Sequence, residues 1–177
     1  MPSPSKNKGS GFEREVAKFL TEHYGEQFIR SPGSGAYTGG NNSRRRQVLH
    51  NGQVRSFKGD IIPGESFELL NCEAKFYADF AFHQLFEECS TLETWIKQVM
   101  EASDVGDLNI LFMKFNRKGR YIAVQANNNW DTSCNHMIYN SPKFGRWMIY
   151  SFENFFKVNS THLKTHSRKT VLTETSI

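Results

Sequence analysis

The chain sets an aspartate, a glutamate and a lysine in one short run, "KGDIIPGESFELLNCEAKF", residues 58 to 76. Asp60 and Glu73 are hard oxygen donors. Lys75 places an ammonium two residues beyond Glu73. On a β-strand alternate side chains share a face, so Glu73 and Lys75 point one way. Cys72, Ala74 and Phe76 point the other way, into a core. Two carboxylates converging beside an amine suit Mg2+ or Mn2+, and the backbone carbonyl of Ala74 could add a ligand. Such a cation polarises a phosphate and acidifies a bound water. Lys75 would orient that water or offset charge developing on the phosphorane. The plain alternative is a surface ion pair, worth under about 1 kcal/mol.

Whether Asp60 reaches Glu73 depends on the connection between them. A tight turn at Pro63–Gly64 would pair Asp60 with Phe67 and leave Glu73 about 20 Å away at strand rise. A wider loop over residues 63 to 68 would pair Asp60 with Asn71 in antiparallel strands. Glu73 would then be a diagonal neighbour at about 7–8 Å. The chemistry requires the wider loop.

The elements that must hold these residues follow from periodicity. Ser10 to Tyr24 reads as a helix with a Ser10–Glu13 capping box, and Phe12, Val16, Phe19, Leu20 and Tyr24 share one face. Glu13 falls inside that apolar arc. It either caps backwards or meets a partner or a cation. "EQFIR" reads as a short strand, followed by two more around 57–62 and 68–76. "ADFAFHQLFEEC" is open between loop and short helix. "STLETWIKQVMEAS" reads as a helix with a Ser90–Glu93 capping pair and a buried face of Leu92, Trp95, Ile96, Val99 and Met100. "LNILFMKF" and "RYIAVQA" read as a hairpin, 127–144 as polar loop, "RWMIY" as a last strand and "SFENFFKV" as a last short helix. Together these predict an α/β fold: one domain over 10–160 with a central mixed sheet flanked by helices. A flexible arm precedes it over 1–9, and a basic tail follows over 161–177.

The 177 residues include 15 Phe and are 38% apolar, enough for one core. No apolar run matches a membrane span or a signal peptide. The three cysteines do not make an even disulfide set and are too scattered for a zinc knuckle, which predicts a reducing, cytoplasmic setting. Cys134 and His136 lack the further nearby ligands that a zinc site needs. The aromatic residues at 147–156 read as core. Residues 1–60 hold ten basic and five acidic residues, against a net charge of +4 for the whole chain. That asymmetry points to a polyanion. Its centre is a loop over 32–56, rich in Gly, Asn, Ser and Arg. Arg30 and the Ser34 hydroxyl there could meet a phosphate, and Arg44, Arg45, Arg46, Arg55 and Lys58 make the loop basic. The glycines do not form a Walker loop, which excludes a nucleotide-hydrolysing motor.

In order, "GFEREVAKFL", "IRSPGSGA", "GDII", "CEAKF" and "LETWIKQV" resemble the PD-(D/E)xK nucleases, and more closely the Holliday junction resolvases of the archaeal and phage type. The resemblance covers residues 9 to 126. It implies a restriction-endonuclease-like fold and a Mg2+-dependent endonuclease acting as a homodimer on four-way DNA junctions. It implies Asp60 and Glu73 as metal ligands, Lys75 as the catalytic lysine, and Glu13 completing the metal site directly or through water. Arg30 and Ser34 would lie near the scissile phosphate, and Gln98 would face the cleft. Gly59 departs from the proline of the superfamily name. Two other readings stand beside this one. The first is another structure-specific, nicking or restriction-like nuclease of the superfamily. The second is a DNA-binding module without catalysis, its carboxylates merely paired at the surface.

Overall fold

In this computed structural model the structure describes residues 4–32 and 59–168. Its elements are α1 (Pro4–Tyr24), β1 (Ile29–Arg30), β2 (Ile61–Ile62), β3 (Leu70–Tyr77), α2 (Ser90–Ala102), β4 (Leu108–Phe115), β5 (Gly119–Gln125), β6 (His136–Ser141), β7 (Gly145–Ser151) and α3 (Phe152–His166). Five strands form one sheet in the order β3-β4-β5-β7-β6. β3 and β4 run parallel and in register, Glu73 opposite Leu111 and Lys75 opposite Met113, with α2 as the crossover. The remaining pairs are antiparallel, which makes the sheet mixed.

β4 is apolar on both faces because both faces are covered. Ile110 and Phe112 pack with Phe12, Val16 and Leu20 of α1 and Phe152 and Phe155 of α3. Leu111 and Met113 pack with Leu92, Trp95, Ile96 and Val99 of α2. Polar contacts set the helices on the sheet. Asn71 donates through Nδ2 to the Val99 carbonyl at 3.0 Å and to Asn109 Oδ1 at 2.8 Å, fixing β3 against α2. Arg120 on β5 donates to Glu15 of α1 at 3.1 Å and to Glu153 of α3 at 2.6 Å.

Several local expectations change. α1 begins at Pro4, so the expected arm over 1–9 is helical from residue 4, and Ser10 and Glu13 lie within the helix rather than at its start. Over the described residues 59–76 the chain is not a two-stranded hairpin. β2 pairs with β1 instead, Arg30 opposite Ile61. The connection to β3 is the wide one, carrying a short 3-10 turn at Glu65–Phe67. Another 3-10 turn spans Phe82–Phe86, settling the open reading of that segment.

Glu93 does not cap α2. Its carboxylate accepts from the Tyr139 hydroxyl at 2.7 Å and the Ser141 hydroxyl at 2.9 Å. Those partners belong to β6, a strand inside the stretch read as polar loop; its polar and exposed positions hide the alternation that marks a strand. α3 runs to His166, past the expected boundary at 160, because Leu163 still reaches the core.

Candidate active site

The backbone brings Asp60 to the edge of β3 that faces away from β4. Gly59 has a φ of +63°, and a Cβ there would lie 2.4 Å from the Cys72 carbonyl oxygen. Only glycine tolerates both conditions. Proline, with φ held near −65°, cannot stand there. The chain therefore passes close against β3, and Asp60 is fastened at three points. Its amide donates to the Cys72 carbonyl at 2.7 Å, and its carbonyl accepts from the Ser31 amide at 2.8 Å. Its Oδ2 accepts from the Ala74 amide at 2.8 Å. The carboxylate is thus held at the backbone between Glu73 and Lys75.

Glu73 and Lys75 share a face of β3, as alternation requires, and Lys75 Nζ donates to Glu73 Oε1 at 2.6 Å. Both side chains are mostly buried, Glu73 to 11% exposure and Lys75 to 17%. Such a pair is far from the screened surface contact of the plain reading. Glu13 comes from α1 and is buried among the Phe12–Val16–Leu20 stripe. Its partner is Arg30 of β1, whose Nε donates to Oε2 at 2.5 Å. Arg30 thus meets a carboxylate here, where the sequence suggested a phosphate.

The charges act on one another. Burial, then the neighbouring Asp60 carboxylate, raise the Glu73 carboxyl to about 7, against the pull of Lys75. Burial and then Asp60 also push the Glu13 carboxyl up, and Arg30 opposes them. Three acidic groups, from a helix, a loop and a strand, therefore share one field.

A divalent cation fits the chemistry of these side chains: hard carboxylate oxygens, in a crowd of like charge that a cation would relieve. The side chains as they stand are not yet gathered as ligands. Among the described residues no three Asp, Glu, His or Cys are placed to hold a metal ion. Oxygens of all three carboxylates are engaged by protein donors: Arg30 on Glu13, Lys75 on Glu73 and the Ala74 amide on Asp60.

The structure brings Glu13, Arg30, Asp60, Glu73 and Lys75 into one neighbourhood. Gln98 lies on the exposed side of α2. Ser34, Arg44, Arg45, Arg46, Arg55 and Lys58 lie outside the described residues. Two residues have parts at the site that the sequence did not show. Gly59 shows in sequence only as a glycine before the aspartate. Ser31 is fully buried and has no sequence signal, because its part is played by a backbone amide.

A mixed sheet with α1 and α3 on one face, α2 on the other and an acidic group at the β3 edge is compatible with the restriction-endonuclease-like fold. The chain belongs to the family described as "Phage putative PDDEXK endonuclease", which matches residues 4–169. It is therefore a nuclease of the PD-(D/E)xK superfamily, whose members generally use divalent metal ions. No curated protein and no solved structure gives a significant match. Among the described residues no helix is long and apolar enough to cross a membrane.

Proposed function

We propose that this chain is a Mg2+-dependent DNA endonuclease that resolves four-way junctions by paired nicks, with Mn2+ as a substitute ion. Asp60, Glu73 and the Ala74 carbonyl hold the ion, and Glu13 completes the set directly or through water. The observation that carries this reading is the gathering of three carboxylates beside Lys75 in a buried setting, where burial first and the Asp60 carboxylate second lift the Glu73 carboxyl to about 7. When bound, a divalent cation supplies the charge that polarises the scissile phosphate and acidifies a water.

The chain's own residues do the rest. Asp60, locked by its backbone bonds, keeps its carboxylate fixed at the edge of β3. Lys75 shifts from Glu73 to orient the attacking water and to offset negative charge growing on the phosphoryl oxygens. Arg30 has donors beyond the Nε that meets Glu13, and a guanidinium suits a phosphate in bidentate geometry. Burial at the site favours all these electrostatic contacts over their strength in water. One centre cuts one strand, so symmetric nicks require a second copy, and we propose a homodimer.

The test compares four-way junction, nicked duplex and linear duplex as substrates for the wild type and Lys75→Ala. We expect symmetric nicks near the junction centre, and loss of cleavage by Lys75→Ala with binding nearly kept. Preferential cutting of linear duplex would replace resolution with a restriction-like activity. Full cleavage by Lys75→Ala would reject the catalytic assignment.

A further inference from the structure

Beside the acidic group runs a groove of about 360 Å³ between α1 and β1. Arg14, Lys18 and Glu22, at successive turns of α1, stand along one side, so two cations and one carboxylate line it; Phe28, Ile29 and Arg30 form the other. Thr21 closes the back. Its hydroxyl donates to the Ala17 carbonyl at 2.9 Å and accepts from the Phe28 amide at 3.0 Å, so the two walls are stapled together.

Five observations point to a ligand for this groove. Arg14 is exposed and has no ion-pair partner among the described residues. Lys18 is 76% exposed, its nearest anion Glu22 at 3.7 Å, a screened surface pair. Other basic side chains nearby are paired with carboxylates, Lys114 with Glu15 at 2.5 Å and Arg30, through its Nε, with Glu13 at 2.5 Å. Ile29 is an apolar residue left 51% exposed at the lip, directly before Arg30. Arg30 belongs to both the groove and the acidic group, which makes them continuous.

We infer that this groove seats one unpaired nucleotide of the DNA strand next to the cut, its phosphate between Arg14 and Lys18 and its base against Ile29. A base within duplex keeps its faces stacked and cannot use an apolar lip. A base lifted from the stack can pack a face on Ile29 while its phosphate meets the basic side chains, the division of labour that single-strand grooves make with aromatic residues. The volume lies in the range of small-ligand sites. The inference rests on the nuclease reading above and names its substrate class: DNA with unpaired nucleotides at the branch.

The experiment measures fluorescence anisotropy of labelled oligothymidine and of blunt duplex in metal-free buffer. The proteins are wild type, the double variant Arg14→Glu/Lys18→Glu, Ile29→Asp and, should that variant melt early, Ile29→Ser. We expect the charge reversal to weaken oligothymidine binding at least about tenfold, and the Ile29 variants to weaken it about tenfold while duplex changes less than about twofold. Oligothymidine affinity within about twofold of wild type in the Ile29 variants overturns the seat. Equal losses on duplex and single strand overturn the preference for unpaired DNA. The nuclease reading is judged separately by cleavage. Wild type that cuts DNA while the groove variants bind normally sinks only this inference. Groove variants that lose oligothymidine binding while wild type cuts no DNA sink only the catalytic roles.

Discussion

Glu73 illustrates how a side chain's surroundings outweigh its type. Its carboxyl is lifted from 4.5 to about 7, by burial first and Asp60 second, while Lys75 pulls the other way. The folded state therefore holds a proton on Glu73 over a range in which the unfolded chain has released it. Its contribution to stability is full below the unfolded value of 4.5 and is lost as pH rises through about 7. Glutamine at this position cannot titrate. The melting-temperature difference between metal-free wild type and Glu73→Gln should move against wild type by several °C from about pH 5 to about pH 8. Added Mg2+ should restore wild type at the alkaline end and leave Glu73→Gln unmoved. A difference that stays flat with pH would show that Glu73 titrates as an ordinary carboxylate.

At the scale of elements, the site depends on a short ribbon meeting an edge strand. β1 and β2 are two residues each, too short to be stable alone. They are held because the Asp60 amide and carbonyl extend their pairing to Cys72 and Ser31. Gly59 permits this. Gly59→Ala would put a methyl 2.4 Å from the Cys72 carbonyl at a φ of +63°. We expect a loss of about 1–3 kcal/mol in denaturant unfolding, with cleavage reduced further than stability because Asp60 is displaced. A variant as stable and active as wild type would show that the chain does not pass β3 in this way. The same geometry explains the missing proline of the superfamily name. What matters at position 59 is a left-handed backbone, and proline is the residue least able to supply it.

For the whole molecule, charge is distributed by region. Residues 1–60 carry a net +5 of the chain's +4, the remainder contributing −1. Each phosphate neutralised by a basic side chain releases counterions and steepens the salt dependence of binding. Replacing Arg44, Arg45 and Arg46 together by alanine should weaken binding to all DNA substrates and flatten the slope of log K against log salt by up to about 3. An unchanged slope would mean that these arginines meet no phosphate. Two cations of the sheet behave differently. Arg120 and Lys114 share Glu15, and Arg120 also lies 4.2 Å from the Phe152 ring centre, so they tie α1, α3 and the sheet together.

Much of this protein was legible as sequence wherever the physics is local. Period-2 alternation placed Glu73 and Lys75 on one face of β3. Helical periodicity found the buried faces of α1 and α2 and the unusual place of Glu13 among apolar neighbours. The β4–β5 hairpin followed from its turn. Only the tertiary structure decided contacts between residues far apart in the chain: β2 beside β1 rather than β3, Glu93 holding β6 instead of capping its own helix, Arg30 on Glu13 across 17 residues. Local propensity carries no information about which distant donor will reach a buried carboxylate. That choice is made when α1, the ribbon and β3 pack together and every buried polar group must find a partner.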